Sequence, residues 1–175
     1  VAGPLTGGPG PTAREAGGRT ALADGAILRR AERRDVPGIL QRIVDLAEYE
    51  REPEAVETTA ADLEAALFGP RPAVHAHVVE AEGRIAGIAV WFLNFSTWTG
   101  RHGIHLEDLY VDPAHRGRGY GTALLRELAR LCVANGYRRL DWSVLEWNRP
   151  SIEFYDSLGA VPMGEWIAYR LTGDA

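Results

Sequence analysis

The chain has 175 residues, 46% of them hydrophobic and 25% charged, with a formal net charge of −5. This size suits one domain with a sizeable buried core, and no apolar run approaches the ~20 residues that a membrane-spanning helix needs. The net negative charge argues against nucleic acid or an anionic membrane as a partner and favours a cationic small molecule.

The first 25 residues are rich in Gly, Pro, Ala and Thr and show no periodicity, which predicts a flexible tail over residues 1–25 and a folded domain over residues 26–175. The start of this tail lacks the basic patch and hydrophobic stretch of a secretory signal. The single cysteine, Cys132, cannot form an internal disulfide, and its helical, apolar surroundings predict burial. These features favour a cytoplasmic location.

Hydrophobic periodicity predicts strands and helices along the rest of the chain. The predicted strands span residues 27–31, 74–80, 84–95, 104–111, 139–145 and 166–171. The predicted helices span residues 35–47, 59–68, 122–134 and 151–158. Asp35 and Pro37 are typical of a helix start, and Gly136 and Gly159 of helix ends. The alternation of predicted strands and helices along the chain predicts an α/β fold with a mixed sheet.

An acidic stretch, residues 48–57, follows the first predicted helix. Its simplest interpretation is a solvated face. The alternative is that Tyr49 and Glu50 line a site for an amine, while the other carboxylates attract a polycation.

A glycine-rich loop, residues 116–122, joins a predicted strand to a predicted helix. Its alternating glycines let the backbone approach a ligand closely, and the free N–H groups of the first helical turn point at the loop. Such a loop binds phosphate or pyrophosphate, and Arg116 and Arg118 can add charge-assisted contacts. An isolated G-x-G pattern is more often a surface turn. A P-loop is excluded because the chain has no lysine, and the G-x-G-x-G spacing differs from the dinucleotide fingerprint.

Three blocks in chain order resemble the GCN5-related N-acetyltransferase (GNAT) family. They are Leu109–Pro113, Arg116–Gly121 and Asn148–Tyr155 followed by Leu158–Gly159. The resemblance implies an α/β GNAT fold: a mixed, mostly antiparallel, twisted sheet flanked by helices, whose splayed central strands hold the cosubstrate acetyl-CoA. The residues that it assigns to acetyl-CoA binding are Leu109, Tyr110, Val111, Arg116, Gly117, Arg118, Gly119, Tyr120, Gly121, Thr122, Asn148 and Ser151.

Further blocks are similar to the diamine (spermidine/spermine) and thialysine acetyltransferase branch of that family. They are Leu46–Glu50, Leu106–Val111 and Glu146–Asn148 with Pro150–Ile152 and Phe154–Tyr155. This likeness implies a homodimer and an acceptor that is a diamine, a polyamine or a lysine-like amine. The residues that it assigns to the acceptor are Tyr49, Glu50, Glu107, Asp108 and Glu165. The segment between Gly159 and Trp166 is short and keeps only Glu165 of the expected acidic residues, so the preferred length of the acceptor stays open.

The branch resemblance also implies the catalytic groups. A primary amine with a pKa near ~10.4 must lose a proton before it can attack a thioester. Glu107 would hold the ammonium and take that proton, directly or through water, and Tyr155 would donate a proton to the departing thiolate. A strand N–H such as that of Tyr110 could polarise the thioester carbonyl. The structural alternatives are that Glu107 is only a solvated carboxylate and that Tyr155 is only a core side chain.

No metal site is expected, because the five histidines lack supporting carboxylates or cysteines at ligand spacing. Two other functions compete with the main hypothesis. One is a GNAT enzyme for another acceptor, such as an aminoglycoside-like drug, an amino acid or a protein amine. The other is a coenzyme A-binding sensor without turnover, against which the presence of both Glu107 and Tyr155 argues.

Overall fold

The computed structural model of the protein describes residues 18–171 and residue 173. The chain divides into two compact units, one up to Trp142 and one from Ser143 onward. Most of the predicted tail, residues 1–17, lies outside the described part of the chain. Thr20 and Ala21, however, form a strand that pairs with the next one, so the sheet begins before the predicted domain start at residue 26.

The first unit is built on a six-stranded sheet in the order β1-β2-β3-β4-β5-β6. The strands are β1 (Thr20–Ala21), β2 (Ile27–Arg30), β3 (His75–Ala81), β4 (Arg84–Ser96), β5 (Arg101–Val111) and β6 (Leu140–Trp142). All neighbours are antiparallel except β5 and β6, so the sheet is mixed and mostly antiparallel, as predicted. Glu82 and Gly83, with φ of 53° and 73°, form the predicted turn between β3 and β4.

Helices α1 (Val36–Tyr49) and α2 (Ala60–Phe68) pack with the sheet around one apolar cluster. Ile39 of α1 and Val78 and Ile88 of the sheet are fully buried in it. A Cβ on Gly38 would lie 2.7 Å from the Ile85 side chain, so α1 needs glycine where it approaches β4. The apolar residues at helical spacing therefore face the core, as predicted.

Asp35 does not act as the predicted helix cap, because its side chain makes no capping hydrogen bond to α1. The carboxylate is buried and instead accepts two hydrogen bonds from Arg29, at 2.6 and 2.8 Å, and one from the Glu32 N–H at 2.7 Å. Burial raises the pKa of Asp35, but the hydrogen bonds from Arg29 and Glu32 outweigh it and lower the pKa below its ordinary value. Asp35 therefore ties the start of α1 to β2.

Helix α3 (Tyr120–Asn135) packs on β3, β4, β5 and β6. Leu124 and Leu128 are fully buried, and burial raises the pKa of the Cys132 thiol to about 11. The prediction of a buried cysteine is thus confirmed. The helix ends at Gly136, which has a φ of 67°, also as predicted.

The second unit contains helix α4 (Arg149–Ser157), which starts two residues before the predicted bound. The strand predicted over residues 139–145 is shorter, because β6 ends at Trp142. The strand predicted over residues 166–171 is wrong: within described residues 143–171 no strand forms. Alternating apolar residues are not sufficient, because a strand also needs a partner for its backbone hydrogen bonds. Every helix in the described ranges is too short or too polar to cross a bilayer.

Candidate active site

The glycine-rich loop connects β5 to the first turn of α3. Gly117 and Gly119 have φ of 78° and 82°, a conformation that favours glycine, and a Cβ at either position would have nothing within 4 Å. Gly119 is the N-cap of α3 and has no side chain to cap the N–H groups of the first turn. The loop thus combines open space with free helical donors, the features that suit a phosphate group.

The two loop arginines have contacts of their own. Arg116 donates from Nε to the Val111 carbonyl at 3.1 Å, and its guanidinium lies 5.3 Å from the Tyr49 ring centre and 5.7 Å from that of Tyr110. Nη1 of Arg118 is 3.6 Å from Oδ2 of Asp24. Arg116 therefore links the loop to the end of α1, where the predicted acceptor residues lie.

The Tyr120 side chain is a core group that faces away from solvent, with 1% of its surface exposed. Its hydroxyl donates to Oδ2 of Asp24 at 2.6 Å, and this hydrogen bond lowers the pKa of Asp24. Only the backbone of Tyr120 is thus suited to the predicted contact with the cosubstrate. Sequence analysis missed Asp24, because it lies within the predicted tail.

The strand residues that the family resemblance assigns to acetyl-CoA, Leu109–Val111, end β5, which pairs with β4 at every residue except Glu107. Asp108 pairs with Val90 and Leu106 with Trp91, so Glu107 is the extra residue of a β-bulge. The Glu107 side chain is 58% exposed. The parallel pairing of β5 with β6 covers only Ile104–Leu106, and β5 runs on to Val111 beyond these pairs. A bulge changes the direction in which a side chain points, and here that side chain is Glu107, the predicted base.

Carboxylates gather around this bulge. Burial, together with the negative charges of Glu107 and Glu50, raises the pKa of Asp108 to about 6. Glu50 follows the last residue of α1, and burial raises its pKa as well. The structure therefore brings together three of the predicted acceptor residues, Glu50, Glu107 and Asp108, and Tyr49 immediately precedes Glu50 in the chain.

A histidine that sequence analysis did not assign lies beside them. Nδ1 of His105 is 2.6 Å from Oδ1 of Asp141, and Nε2 is 3.8 Å from Oε2 of Glu107. The His105 side chain is 27% exposed. The spacing of His105 and Glu107 in the sequence could have suggested their proximity, whereas Asp141 comes from a different strand.

The remaining predicted residues belong to the second unit. Asn148 is the N-cap of α4, and its Oδ1 accepts a hydrogen bond from the Ser151 N–H at 3.4 Å. The Tyr155 ring centre lies 5.4 Å from that of Phe154, and Glu165 is exposed. Asn148 thus caps α4, and the cosubstrate, acceptor and catalytic roles of these residues stay predictions. Among the described residues, no cluster of three or more His, Cys, Asp or Glu is placed to hold a metal ion.

Comparison with protein families gives a match to a model described as "Acetyltransferase (GNAT) family" over residues 40–160. The chain is similar to a thialysine N-epsilon-acetyltransferase of Sus scrofa, with 34% identity over 160 residues, covering 85% of this chain and 94% of that protein. It is also 33% identical to spermidine/spermine N(1)-acetyltransferase-like protein 1 of Homo sapiens, covering 82% of this chain and 22% of that protein.

The fold is similar to that of solved acetyltransferase structures. An acetyltransferase of Trypanosoma brucei matches with a TM-score of 0.67 and 27% identity, covering 83% of this chain and 99% of that one. The sheet order and the flanking helices are thus those of a known enzyme fold.

Proposed function

The chain belongs to the acetyltransferase (GNAT) family and is an N-acetyltransferase, and on that premise we propose that it moves the acetyl group of acetyl-CoA to a primary amine of a small cationic acceptor. The acceptor class is a diamine, a polyamine or a lysine-like amine. The observation that carries this choice is the cluster of carboxylates at the β5 bulge: Glu50, Glu107 and Asp108.

The charges that raise the pKa of Asp108 are both negative, those of Glu107 and Glu50. A bound ammonium group would relieve this repulsion and favour the ionised form of Asp108. An acceptor with a second cationic group would interact with more than one of these carboxylates. The names of the thialysine and spermidine/spermine relatives support the same class of acceptor.

The residues of the glycine-rich loop fit the pyrophosphate of coenzyme A. The open space over Gly117 and Gly119 leaves room for it, and the uncapped N–H groups at the start of α3 can donate to it. Leu109, Tyr110 and Val111 of β5 would lie along the pantetheine, and Asn148 and Ser151 would add contacts. Bound acetyl-CoA supplies a thioester that is ready for attack by an amine.

In the proposed reaction, Glu107 holds the ammonium and takes one of its protons, so that the nitrogen can attack the thioester carbonyl. A backbone N–H of β5, such as that of Tyr110, polarises this carbonyl. Tyr155 donates its proton to the departing thiolate. Asp108, Tyr49 and Glu50 line the acceptor site, and Glu165 is a candidate contact for its distal end.

Two further proposals concern the protein as a whole. We propose that it is a cytoplasmic homodimer without a nucleic-acid or membrane partner. The family likeness supports the dimer, and the net charge of −5 argues against nucleic acid or an anionic membrane as a partner.

An acetyl-CoA turnover screen tests the acceptor class. The panel pairs each diamine, polyamine or lysine-like amine with a monoamine of similar length that lacks the second charge. We expect kcat/KM to be about tenfold or more higher for the dicationic member of each pair, equivalent to roughly 1.4 kcal/mol. Equal rates within the pairs would contradict the proposed acceptor class. Binding of coenzyme A without turnover of any amine would favour the sensor instead.

A further inference from the structure

His105 and Asp141 form a hydrogen-bonded pair whose free imidazole nitrogen faces Glu107, and we propose that the pair is a proton relay from Glu107 to solvent. The inference rests on the proposed function, because it takes Glu107 as the group that receives the proton of the amine. His105 acts through Glu107 and is therefore a positioning and relay residue.

The register of the sheet creates the pair. β5 and β6 are parallel, and His105 lies directly opposite Asp141 in their ladder. Nδ1 of His105 is 2.6 Å from Oδ1 of Asp141. The Phe92 ring, from β4, packs against the imidazole with 5.0 Å between ring centres.

Asp141 is held independently of the histidine. Nδ2 of Asn94 donates to both of its carboxylate oxygens, at 3.2 and 3.1 Å, and Nε of Arg139 lies 2.8 Å from Oδ2. Asp141 therefore does not need His105 to stay in place. A purely structural role for the imidazole would add little to a strand that the backbone ladder already fixes.

The partners determine which nitrogen carries the proton. An ionised carboxylate only accepts hydrogen bonds, so Nδ1 of His105 must be the donor to Asp141. In the neutral ring, Nε2 is then an acceptor, and it is the nitrogen that lies 3.8 Å from Oε2 of Glu107. That distance is longer than a direct hydrogen bond, so transfer requires a small rotation of the exposed Glu107 side chain or one bridging water.

The reaction needs an exit for one proton. The acceptor ammonium loses two protons when its nitrogen becomes an amide. One ends on the thiol of coenzyme A, and the other must reach solvent. In the relay, Glu107 gives this second proton to Nε2 of His105, Asp141 stays ionised and stabilises the imidazolium, and Nε2 of the partly exposed side chain then releases the proton to water. The charged and titratable groups beside this path are Glu107 and Asp108 on β5, Glu50 after α1, and Asp141 with its neighbour Arg139.

Substitution of His105, with His102 as a matched control, tests the relay. His102 lies on the same strand, and its Nδ1 is 3.1 Å from the Asn94 carbonyl oxygen. With saturating acetyl-CoA and the best acceptor of the panel, we expect His105→Gln to lower kcat about tenfold or more, with KM for acetyl-CoA unchanged. His102→Gln should stay within about twofold of the wild type. Added imidazole should raise the turnover rate of His105→Ala. It should not raise the rate of the double variant His105→Ala with Glu107→Gln, nor that of His102→Ala.

Equal losses in His105→Gln and His102→Gln, or failure of imidazole to restore His105→Ala, would overturn the relay. A measurement without turnover keeps the two proposals separable. In ¹⁵N NMR at fixed pH, the His105 ring should carry its proton on Nδ1 in the neutral form, and Glu107→Gln should move the Nε2 signal. A ring protonated on Nε2, or one that does not respond to Glu107→Gln, contradicts the relay. Absence of any amine turnover by the wild type contradicts only the proposed function.

Discussion

Glu107 and Asp108 are consecutive residues of β5 with opposite environments. Glu107 is the extra residue of the bulge and its side chain is 58% exposed, whereas Asp108 pairs with Val90 and burial raises its pKa to about 6. Asp108 therefore keeps its proton to a higher pH than an ordinary aspartate does. Consecutive side chains of a strand point to opposite faces of the sheet, and Glu107 in addition has no partner on β4.

The raised pKa of Asp108 makes a prediction about stability. Between its ordinary pKa of 3.8 and about 6, the folded protein binds a proton that the unfolded chain does not, so stability falls as pH rises through this range. Asp108→Asn removes the penalty and should increase the free energy of unfolding at pH 7.5 by up to about 3 kcal/mol, since one pKa unit corresponds to about 1.4 kcal/mol. The gain should vanish near pH 4. Urea unfolding at both pH values measures it, and an equal gain at both would show that charge is not the cause.

Gly119→Ala should weaken coenzyme A binding. Gly119 and Gly136 lie at the two ends of α3, both have positive φ, and neither would have an atom within 4 Å of an added Cβ. Each alanine variant should therefore lose about 1–2 kcal/mol of stability through backbone strain alone. Calorimetry with coenzyme A should show a loss of affinity of about tenfold or more only for Gly119→Ala, because only that methyl group lies where the pyrophosphate is proposed to bind. Similar affinities for both variants would argue against the loop assignment.

Tyr155→Phe removes one hydroxyl group and little packing. If Tyr155 protonates the thiolate, turnover should fall about 10²–10⁴-fold while coenzyme A still binds. Glu107→Gln should differ in its pH dependence, because its penalty shrinks as pH approaches the pKa of the amine, where free amine is abundant. Paired pH–rate profiles at saturating acetyl-CoA distinguish the two. A Tyr155→Phe enzyme within about threefold of the wild type at every pH would make the tyrosine a packing residue.

The buried ion pair between Arg29 and Asp35 should be costly to break. Asp35→Asn leaves a buried guanidinium without its main partner and should lower the free energy of unfolding by about 3–5 kcal/mol at pH 7. Because the folded pKa of Asp35 is lowered, its contribution is present above its ordinary pKa and is lost as pH falls through the folded value. Glu64→Gln, at the exposed pair with Arg33, is the control and should cost less than about 1 kcal/mol. Equal losses in the free energy of unfolding for Asp35→Asn and Glu64→Gln, measured by chemical denaturation, would refute this ranking.

The proposed homodimer can be tested at the C-terminal segment, residues 161–171. This segment exposes large apolar side chains at more than two thirds of their surface: Val161, Met163, Trp166, Ile167, Tyr169 and Leu171. An apolar run of this kind is a common site of association. Light scattering should give a dimer mass that Ile167→Arg reduces to the monomer mass. Val133→Arg, at an equally exposed apolar residue of α3, should leave the dimer intact. A monomeric wild type at micromolar concentration would end this proposal.

Local features of this protein could be predicted from sequence because local chemistry determines them. The turn at Glu82 and Gly83 needs positive φ, the end of α3 needs Gly136, and Thr59 caps α2 through its own side chain. The glycine-rich loop belongs to the same class, since its conformation depends on residues 116–122 themselves. Each of these signals acts over a few residues, so a linear pattern contains it.

The side-chain pairs that connect distant segments of the fold and the site were decided only by the tertiary structure. Arg29 with Asp35, Asp24 with Tyr120, and His105 with Asp141 depend on strand register or on the packing of distant segments. The strand predicted over residues 166–171 failed for the related reason that alternation does not supply a pairing partner. The sequence by itself determined the helices, most of the strands and the conformation of the glycine-rich loop, because periodicity and turn chemistry are local. The tertiary structure alone decided which carboxylates are buried and which imidazole meets them, because burial and hydrogen bonding depend on neighbours that come from elsewhere in the chain.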